Sequence, residues 1–367
     1  MNDIVYFSKM FQAVPHLAQI ARVLPGTFVS NRASTLKVVR RQYPQLQSAR
    51  YLKHFGPLGK GNRKLSSADV IVTGSPYREF LQPYPARKCT VFHGTYMFLS
   101  REALQANTHF DLLCIIGPRM QQMVERFADV IPVNAVRTGF LPFCEFPERT
   151  EDNRRRVLTE MGLDPSQPTV VYTPSRRGIG SWDQAVETLL KTLAPHYNLV
   201  LRPHPSQGVT PRSRDQALFR KLTACIEARP HCVLDLSRFP LSTVLSVADL
   251  VISDANSPAE ESLFYDVPQL LVETDTFSRD TLARQGEREG MHADDMAQLL
   301  AIYDCGPSIR FGGKHQGAHD FNAAVEDALA RAEQHQSARE HYFAWVFGER
   351  DRQANQRVAA AIRQHLL

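Results

Sequence analysis

The stretch YNLVLRPHP, residues 197–205, runs apolar to Leu201 and then stops on Arg202 and His204, with prolines at 203 and 205. A short run of Leu and Val bounded by such a turn reads as a buried strand. The prolines fix the backbone around the cation and the imidazole. In an extended chain, residues two apart point to the same side, so Arg202 and His204 are expected to converge on one ligand. A buried strand that ends in a clamped, polar turn belongs to an open α/β sheet, where ligands bind beyond the carboxyl ends of the strands.

The same pattern recurs along the chain. DIVYFS, GTFVS, DVIVTGSP, CTVFHGT, FDLLCIIGPR and AVRTGFLPF repeat it before residue 145. TVVYTPS, CVLDL, DLVISDANS and VPQLLVE repeat it afterwards, the last being the final strand read from sequence. Helical spacing falls between them, as in FQAVPHLAQIARVL, ASTLKVVRRQY, WDQAVETLLKTLAPH and DQALFRKLTACIEA. Pro15 limits where the first of these helices can start. Strands alternating with helices imply parallel sheets covered on both faces. The polar segment EFPERTEDNRRR, residues 145–156, reads as a linker, followed by a helix closed at Gly162. The expected organisation is an N-terminal domain over residues 1–148, a second over 149–335, and a helical tail over 336–367 that packs back on the first.

The length of 367 residues suits two domains, and the composition, 43% hydrophobic and 22% charged, is that of a soluble globular protein. No apolar run is long enough for a transmembrane helix, and the first residues lack the form of a secretory signal. Six scattered cysteines without a CxxC pair read as buried free thiols of a reducing compartment. The net charge of +5 is unevenly spread. Residues 1–64 hold 11 Lys or Arg against one acid, Asp3, whereas residues 151–367 hold 24 basic and 29 acidic groups. The basic segment favours an anionic partner: a membrane face or a phosphate-rich acceptor. No nucleic-acid motif accompanies it, so nucleic acid is not an expected partner.

Four turns carry candidate chemistry. His93, Gly94 and Thr95 follow a strand; the glycine permits close backbone approach, and the histidine titrates near neutrality. Ser175, Arg176, Arg177 and Gly178 make a basic, flexible turn suited to phosphate. Arg202 and His204 pair permanent charge with a proton donor. Asp254, Asn256 and Ser257 start a helix with Pro258 at its first position, and Glu261 one turn later is placed to hold a pair of hydroxyls such as a ribose diol. Each turn also admits a purely structural reading: a solvated loop, a strand-end turn or an ordinary helix cap.

Taken together, the ordered turns resemble the GT-B glycosyltransferase architecture and, within it, the CDP-glycerol glycerophosphotransferases of teichoic acid and capsule polymer synthesis. His93-Gly94-Thr95, Gly117-Pro118-Arg119, Tyr172-x-Pro174-Ser175-x-Arg177, Arg202-x-His204 and Ser253-Asp254-x-x-Ser257 with Glu261 carry the resemblance. Tyr96 and Met97 depart from that family's pattern, which continues with Pro and Lys. The last segment is also similar to the motif of UDP-N-acetylglucosamine 2-epimerases, where the residue matched by Glu261 holds the ribose.

The resemblance implies two Rossmann-like domains facing a central cleft, the first on the acceptor side and the second binding a nucleotide-activated donor. It implies that His93 and His204 are catalytic, that Arg202, Ser175, Arg177, Ser257 and Asn256 hold the donor phosphates, and that Asp254 and Glu261 hold the nucleotide. Gly94, Thr95 and Arg119 would lie on the acceptor side. The implied reaction moves glycerol phosphate, or a related polyol phosphate, from CDP-glycerol to an acceptor hydroxyl and releases CMP, with no cofactor or metal. The acceptor would be an anionic or lipid-linked glycan or polyol phosphate, and the implied location is the cytoplasmic face of the inner membrane. The alternatives are a sugar-transferring GT-B enzyme, a UDP-N-acetylglucosamine 2-epimerase-like enzyme, and a non-catalytic nucleotide- or polyanion-binding module.

Overall fold

The computed structural model describes residues 3–97, 99–312 and 320–367. The chain divides into two units, Met1–Glu145 with Ala344–Leu367, and Phe146–Phe343.

The first unit is built on a seven-stranded sheet. Its strands are β1 (Ile4–Phe7), β2 (Thr27–Ser30), β3 (Ser48–Arg50), β4 (Val70–Thr73), β5 (Arg87–Thr90), β6 (Leu112–Ile115) and β7 (Ala135–Arg137). Their order is β3-β2-β1-β4-β5-β6-β7, and every pairing is parallel. The order reverses direction between β1 and β4, which makes their carboxyl ends the switch point of a doubly wound sheet. IVYF in β1 and VIVT in β4 are buried along their whole length, as strands covered on both faces must be.

One face of that sheet is covered by the helix Val14–Ala21, with Pro15 in its first turn, and by the helix Ala354–Leu366 from the far end of the chain. Val358, Ile362 and Leu366, spaced one turn apart, join Leu17, Ile20, Tyr6 and Val72 in one core cluster. Val358 and Ile362 are fully buried, which stabilises the unit by roughly 1.5–3 kcal/mol each.

The second unit has a six-stranded parallel sheet, with β8 (Thr169–Thr173), β9 (Asn198–Leu201), β10 (Cys232–Leu234), β11 (Leu250–Ser253), β12 (Gln269–Thr274) and β13 (Ser308–Phe311) in the order β10-β9-β8-β11-β12-β13. Alternate residues line one face: Val170 and Tyr172, Leu199 and Leu201, Leu250 and Ile252, Leu270 and Val272. They pack on Trp182, Val186 and Leu189 of the helix Trp182–Thr192. The switch point here lies between β8 and β11.

Several elements differ from the sequence reading. The segment read as a linker turns helical at Glu151, because the Thr150 side chain accepts a hydrogen bond from the Asn153 N–H and caps the helix Glu151–Met161. Gly162 ends that helix in the left-handed region (φ 76°), as expected. Two edge strands were not read, β3 and β13; neither offers a continuous apolar run. The helix Gln336–Phe347 begins in the second unit and ends in the first, so the change of unit falls inside it, at residues 343 and 344. In the second unit Phe343 meets Phe264, and in the first Phe347 packs on Phe140 and Phe143. All six cysteines are free, but only Cys89, Cys114 and Cys305 are buried, and Cys225 is exposed.

Candidate active site

In the first unit, the segment after β5 is held from three sides. His93 Nδ1 lies 2.7 Å from the Gly74 carbonyl, with Ser75 Oγ at 3.2 Å. A carbonyl only accepts, so Nδ1 carries the proton and Nε2 keeps its lone pair. The Gly94 N–H donates to His16 Nε2 (3.1 Å), and Arg119 Nη2 donates to the Thr95 carbonyl (2.6 Å). His16 sits edge-on to Phe140 and is 4% exposed; Arg119 is 2% exposed and lies over the Trp345 ring. Phe92 (φ 58°), Gly94 (φ 60°) and Tyr96 (φ 52°) all adopt the left-handed region. Two of these are aromatic residues with a Cβ, for which that conformation costs about 1–3 kcal/mol each. Such a backbone persists only where its surroundings over-determine it, and here they do.

Burial lowers the pKa of His93, partly opposed by the hydrogen bond to Gly74. Burial, with the neighbouring His93, lowers His16 to about 3. Both imidazoles are therefore neutral at pH 7. His93 presents a proton acceptor, and His16 is the buried support behind its loop. Arg119 and Thr95, expected on the acceptor side, serve here through backbone contacts that shape the same loop.

In the second unit, the loops after β8 and β11 meet at the switch point. Asp254, at the end of β11, is fully buried. Its carboxylate accepts from the Ser175 N–H, from Ser181 N–H (3.2 Å) and from Ser181 Oγ (2.5 Å). Burial raises its pKa, and these hydrogen bonds pull it back down. Asn256 caps the helix Ser257–Ser262 by accepting from the Ala259 N–H (3.2 Å), while its Nδ2 donates to the Thr173 carbonyl and to Ser175 Oγ. The helix therefore starts at Ser257, one residue before Pro258. Sequence assigns Asp254, Asn256 and Ser175 to the ligand; in the structure they join one loop to the other. Gly180 is required within this joint, because a Cβ there would lie 2.5 Å from Asp254 Oδ2 and 2.6 Å from the Ser175 carbonyl.

The arginines also take protein partners. Arg202 forms a buried ion pair with Asp235 and donates to the Phe239 carbonyl (2.9 Å). Arg177 Nε donates to Asp215 Oδ1 (2.7 Å) in an ion pair whose carboxylate is 3% exposed. His204 Nδ1 accepts from Ser206, whose N–H is 3.2 Å and Oγ 2.8 Å away. Its neutral form therefore carries the proton on Nε2 and acts as a donor. Burial, with the positive charge of Arg176 and Arg177, lowers its pKa to about 4. Arg202 and His204 share no protein partner among the described residues. Arg202 ties β9 to the turn after β10. The positive charge of Arg176, exposed at the tip of the β8 loop, bears on His204. Glu261 sits at the end of its short helix, 9% exposed, beside Glu260, which accepts from Tyr342 Oη (2.7 Å).

Sequence reasoning missed His16, Asp215 and Asp235. Each is separated by many residues from the group it supports, and none belongs to a strand-end turn that reads as chemical. Among the described residues no cluster of His, Cys, Asp or Glu is placed to hold a metal ion.

Two parallel-sheet, Rossmann-like units of seven and six strands define a GT-B-type fold. The chain is similar in structure to the wall teichoic acid polymerase TagF, at 14% identity and a TM-score of 0.66 over 99% of this chain and 88% of that one. It is also similar to a candidate UDP-N-acetylglucosamine 2-epimerase from Listeria monocytogenes (14% identity, TM-score 0.58, 99% of this chain and 96% of that one). A third is Anabaena Alr3699/HepE, solved with UDP and glucose (11% identity, TM-score 0.53, 99% and 100%). No protein-family model matches the chain, and no curated protein matches it in sequence.

Proposed function

We propose that the protein is a transferase that moves glycerol phosphate, or a related polyol phosphate, from CDP-glycerol to an acceptor hydroxyl and releases CMP. The observation that carries this reading is the strained loop Phe92–Tyr96, which holds a neutral His93 with its Nε2 lone pair available. The fold shared with TagF and the ordered turns support the choice of donor. In the proposed step the acceptor oxygen attacks the β-phosphorus, its proton passes to His93 Nε2, and the bond from that phosphorus to the bridging oxygen breaks, leaving CMP. His204 donates its Nε2–H to the donor phosphates, and Arg176 supplies positive charge beside it. Arg177 and Arg202 act through Asp215 and Asp235, as supports of the two loops. Positioning and charge stabilisation supply most of the catalysis in phosphoryl transfer.

The basic first segment would face anionic lipid or a phosphate-rich acceptor. Phe55 (56% exposed) and Leu58 (83% exposed) stand out on the turn Lys53–Leu58 within it. No helix among the described residues is long and apolar enough to cross a membrane. Cosedimentation with phosphatidylglycerol vesicles, reduced in the double variant Phe55→Ser, Leu58→Ser, is the expected result for surface attachment.

The test of the transferase reading is a panel of CDP-glycerol, CDP-ribitol and UDP-, GDP- and CMP-sugars. Binding is followed by thermal shift and turnover by nucleotide release. The expected outcome is stabilisation by CDP-glycerol that His204→Ala abolishes, and transfer that His93→Ala abolishes with the fold intact. Stabilisation by UDP- or GDP-sugars alone would replace glycerol phosphate with a sugar.

A further inference from the structure

At the switch point of the first sheet, an open crevice of about 410 Å³ lies between the segments after β1 and β4. Lys9, Tyr77, Arg78, Glu79 and Phe80 line it. The Lys9 ammonium lies 5.1 Å from the centre of the Tyr77 ring and 4.9 Å from that of Phe80. It has no hydrogen-bond or ion-pair partner among the described residues. The rings beneath it are fixed: Phe80 stacks on Phe7 at 4.3 Å and meets the edge of Tyr51, and Tyr77 is held in the left-handed region (φ 42°). The Tyr77 hydroxyl accepts from the Lys9 N–H (3.2 Å), which joins the two walls. One residue links the wall of the crevice to His93, since Ser75 Oγ reaches both His93 Nδ1 (3.2 Å) and Met10 Sδ (3.7 Å), the residue after Lys9.

The charge of the lining is simple to count. Lys9 is positive and without a counter-ion among the described residues. Arg78 is positive and donates only to neutral groups, the Gln105 carbonyl and Thr108 Oγ1. Glu79 is negative and exposed. The excess is one positive charge, which matches a singly charged oxyanion better than a dianion. An ammonium supplies donors for such an anion, and a carboxylate beside it offers acceptors to hydroxyls.

We propose that this crevice is a binding subsite for a phosphodiester flanked by hydroxyls, with Lys9 on the phosphate and Glu79 on a hydroxyl. Resting on the transferase reading, it is the place where the acceptor lies while its terminal hydroxyl reaches His93.

The test measures binding of glycerophosphoglycerol, in the absence of any nucleotide, by saturation-transfer NMR and calorimetry. Inorganic phosphate and glycerol serve as comparison probes. The expected result is binding of the phosphodiester over both comparisons. Lys9→Met and Lys9→Gln weaken it by about tenfold, the order of a charge-assisted hydrogen bond at a part-exposed site. Lys9→Arg retains binding, and Lys191→Met, which removes the same charge from the exposed side of a helix in the second unit, leaves it unchanged. Equal binding by wild type and both charge-loss variants, equal binding of glycerol, or no binding by wild type overturns the proposal. CDP-glycerol binding is measured on the same samples. Donor binding without phosphodiester binding refutes the crevice alone, and phosphodiester binding without donor binding refutes the transferase reading alone.

Discussion

His16 offers a sharp test of how the His93 loop is held, because its two contributions to stability have opposite signs and different pH dependence. The perturbation is His16→Phe. Phenylalanine keeps an aromatic ring against Phe140, but it cannot accept the Gly94 N–H. Loss of that acceptor costs about 1 kcal/mol, the low end for an orphaned donor, since Gly94 is only half-buried. The second contribution is proton linkage. The folded pKa of His16 is depressed to about 3, against about 6.5 in the unfolded chain. The unfolded state therefore binds the proton first as pH falls, and the wild type loses stability below about pH 6.5. At pH 5 the difference is roughly 1.5 pH units, or about 2 kcal/mol at 1.36 kcal/mol per unit. The variant does not carry this penalty. His16→Phe should thus be less stable than wild type by about 1 kcal/mol at pH 8, equal to it near pH 6, and more stable by about 1 kcal/mol at pH 5. Urea unfolding followed by circular dichroism at the three pH values gives the comparison, and the subtraction cancels the contributions of His93, His204 and the buried carboxyls. A stability difference that stays constant from pH 8 to pH 5 would refute a neutral, buried His16 accepting from Gly94.

Three further outcomes follow from the same structure. Asp254→Ala removes the acceptor of Ser175 and Ser181 at once and should destabilise the second unit by about 3 kcal/mol or more, with Asp254→Asn intermediate, as read by chemical denaturation. Gly180→Ala places a methyl group against Asp254 and the Ser175 backbone, so donor-induced thermal stabilisation should fall while Gly178→Ala, whose added carbon meets open space and bears only the cost of its positive φ, affects donor binding less. Transferase activity should persist below the ordinary histidine range, because burial lowers the pKa of His93; a pH–rate profile whose acid limb falls at or above about 6.5 would contradict its role as the base.

The strand-and-turn pattern around Leu201 carried the architecture because parallel strands covered on both faces must be apolar throughout, and their turns must be polar. That logic fails at two of the four sheet edges. β3, Ser-Ala-Arg, has one buried residue and β13, Ser-Ile-Arg-Phe, has one, so neither carries the signal. The turns themselves were legible as chemical groups, but not their partners. Arg202 and Arg177 were read as phosphate ligands, and nothing in their turns shows that Asp235 and Asp215 pair with them. Asn256 was read as a ligand, and its turn does not show that its side chain also caps the helix and bonds the β8 loop. His93 was legible from its place before a glycine at a strand end. His16 was not, because a single histidine on an apolar helix carries no mark of the backbone N–H it will meet 78 residues later.

The division of the helix Gln336–Phe347 between the units has a consequence for the order of synthesis. The second unit is one continuous stretch, Phe146–Phe343, and all of its core is made before Val358, Ala359 and Ile362 of the first unit. The first unit lacks Val358, Ala359 and Ile362 until the last turns of the final helix emerge. A nascent chain therefore carries an open apolar face on the first unit until those residues are made, and the unit that is begun before the other is completed after it.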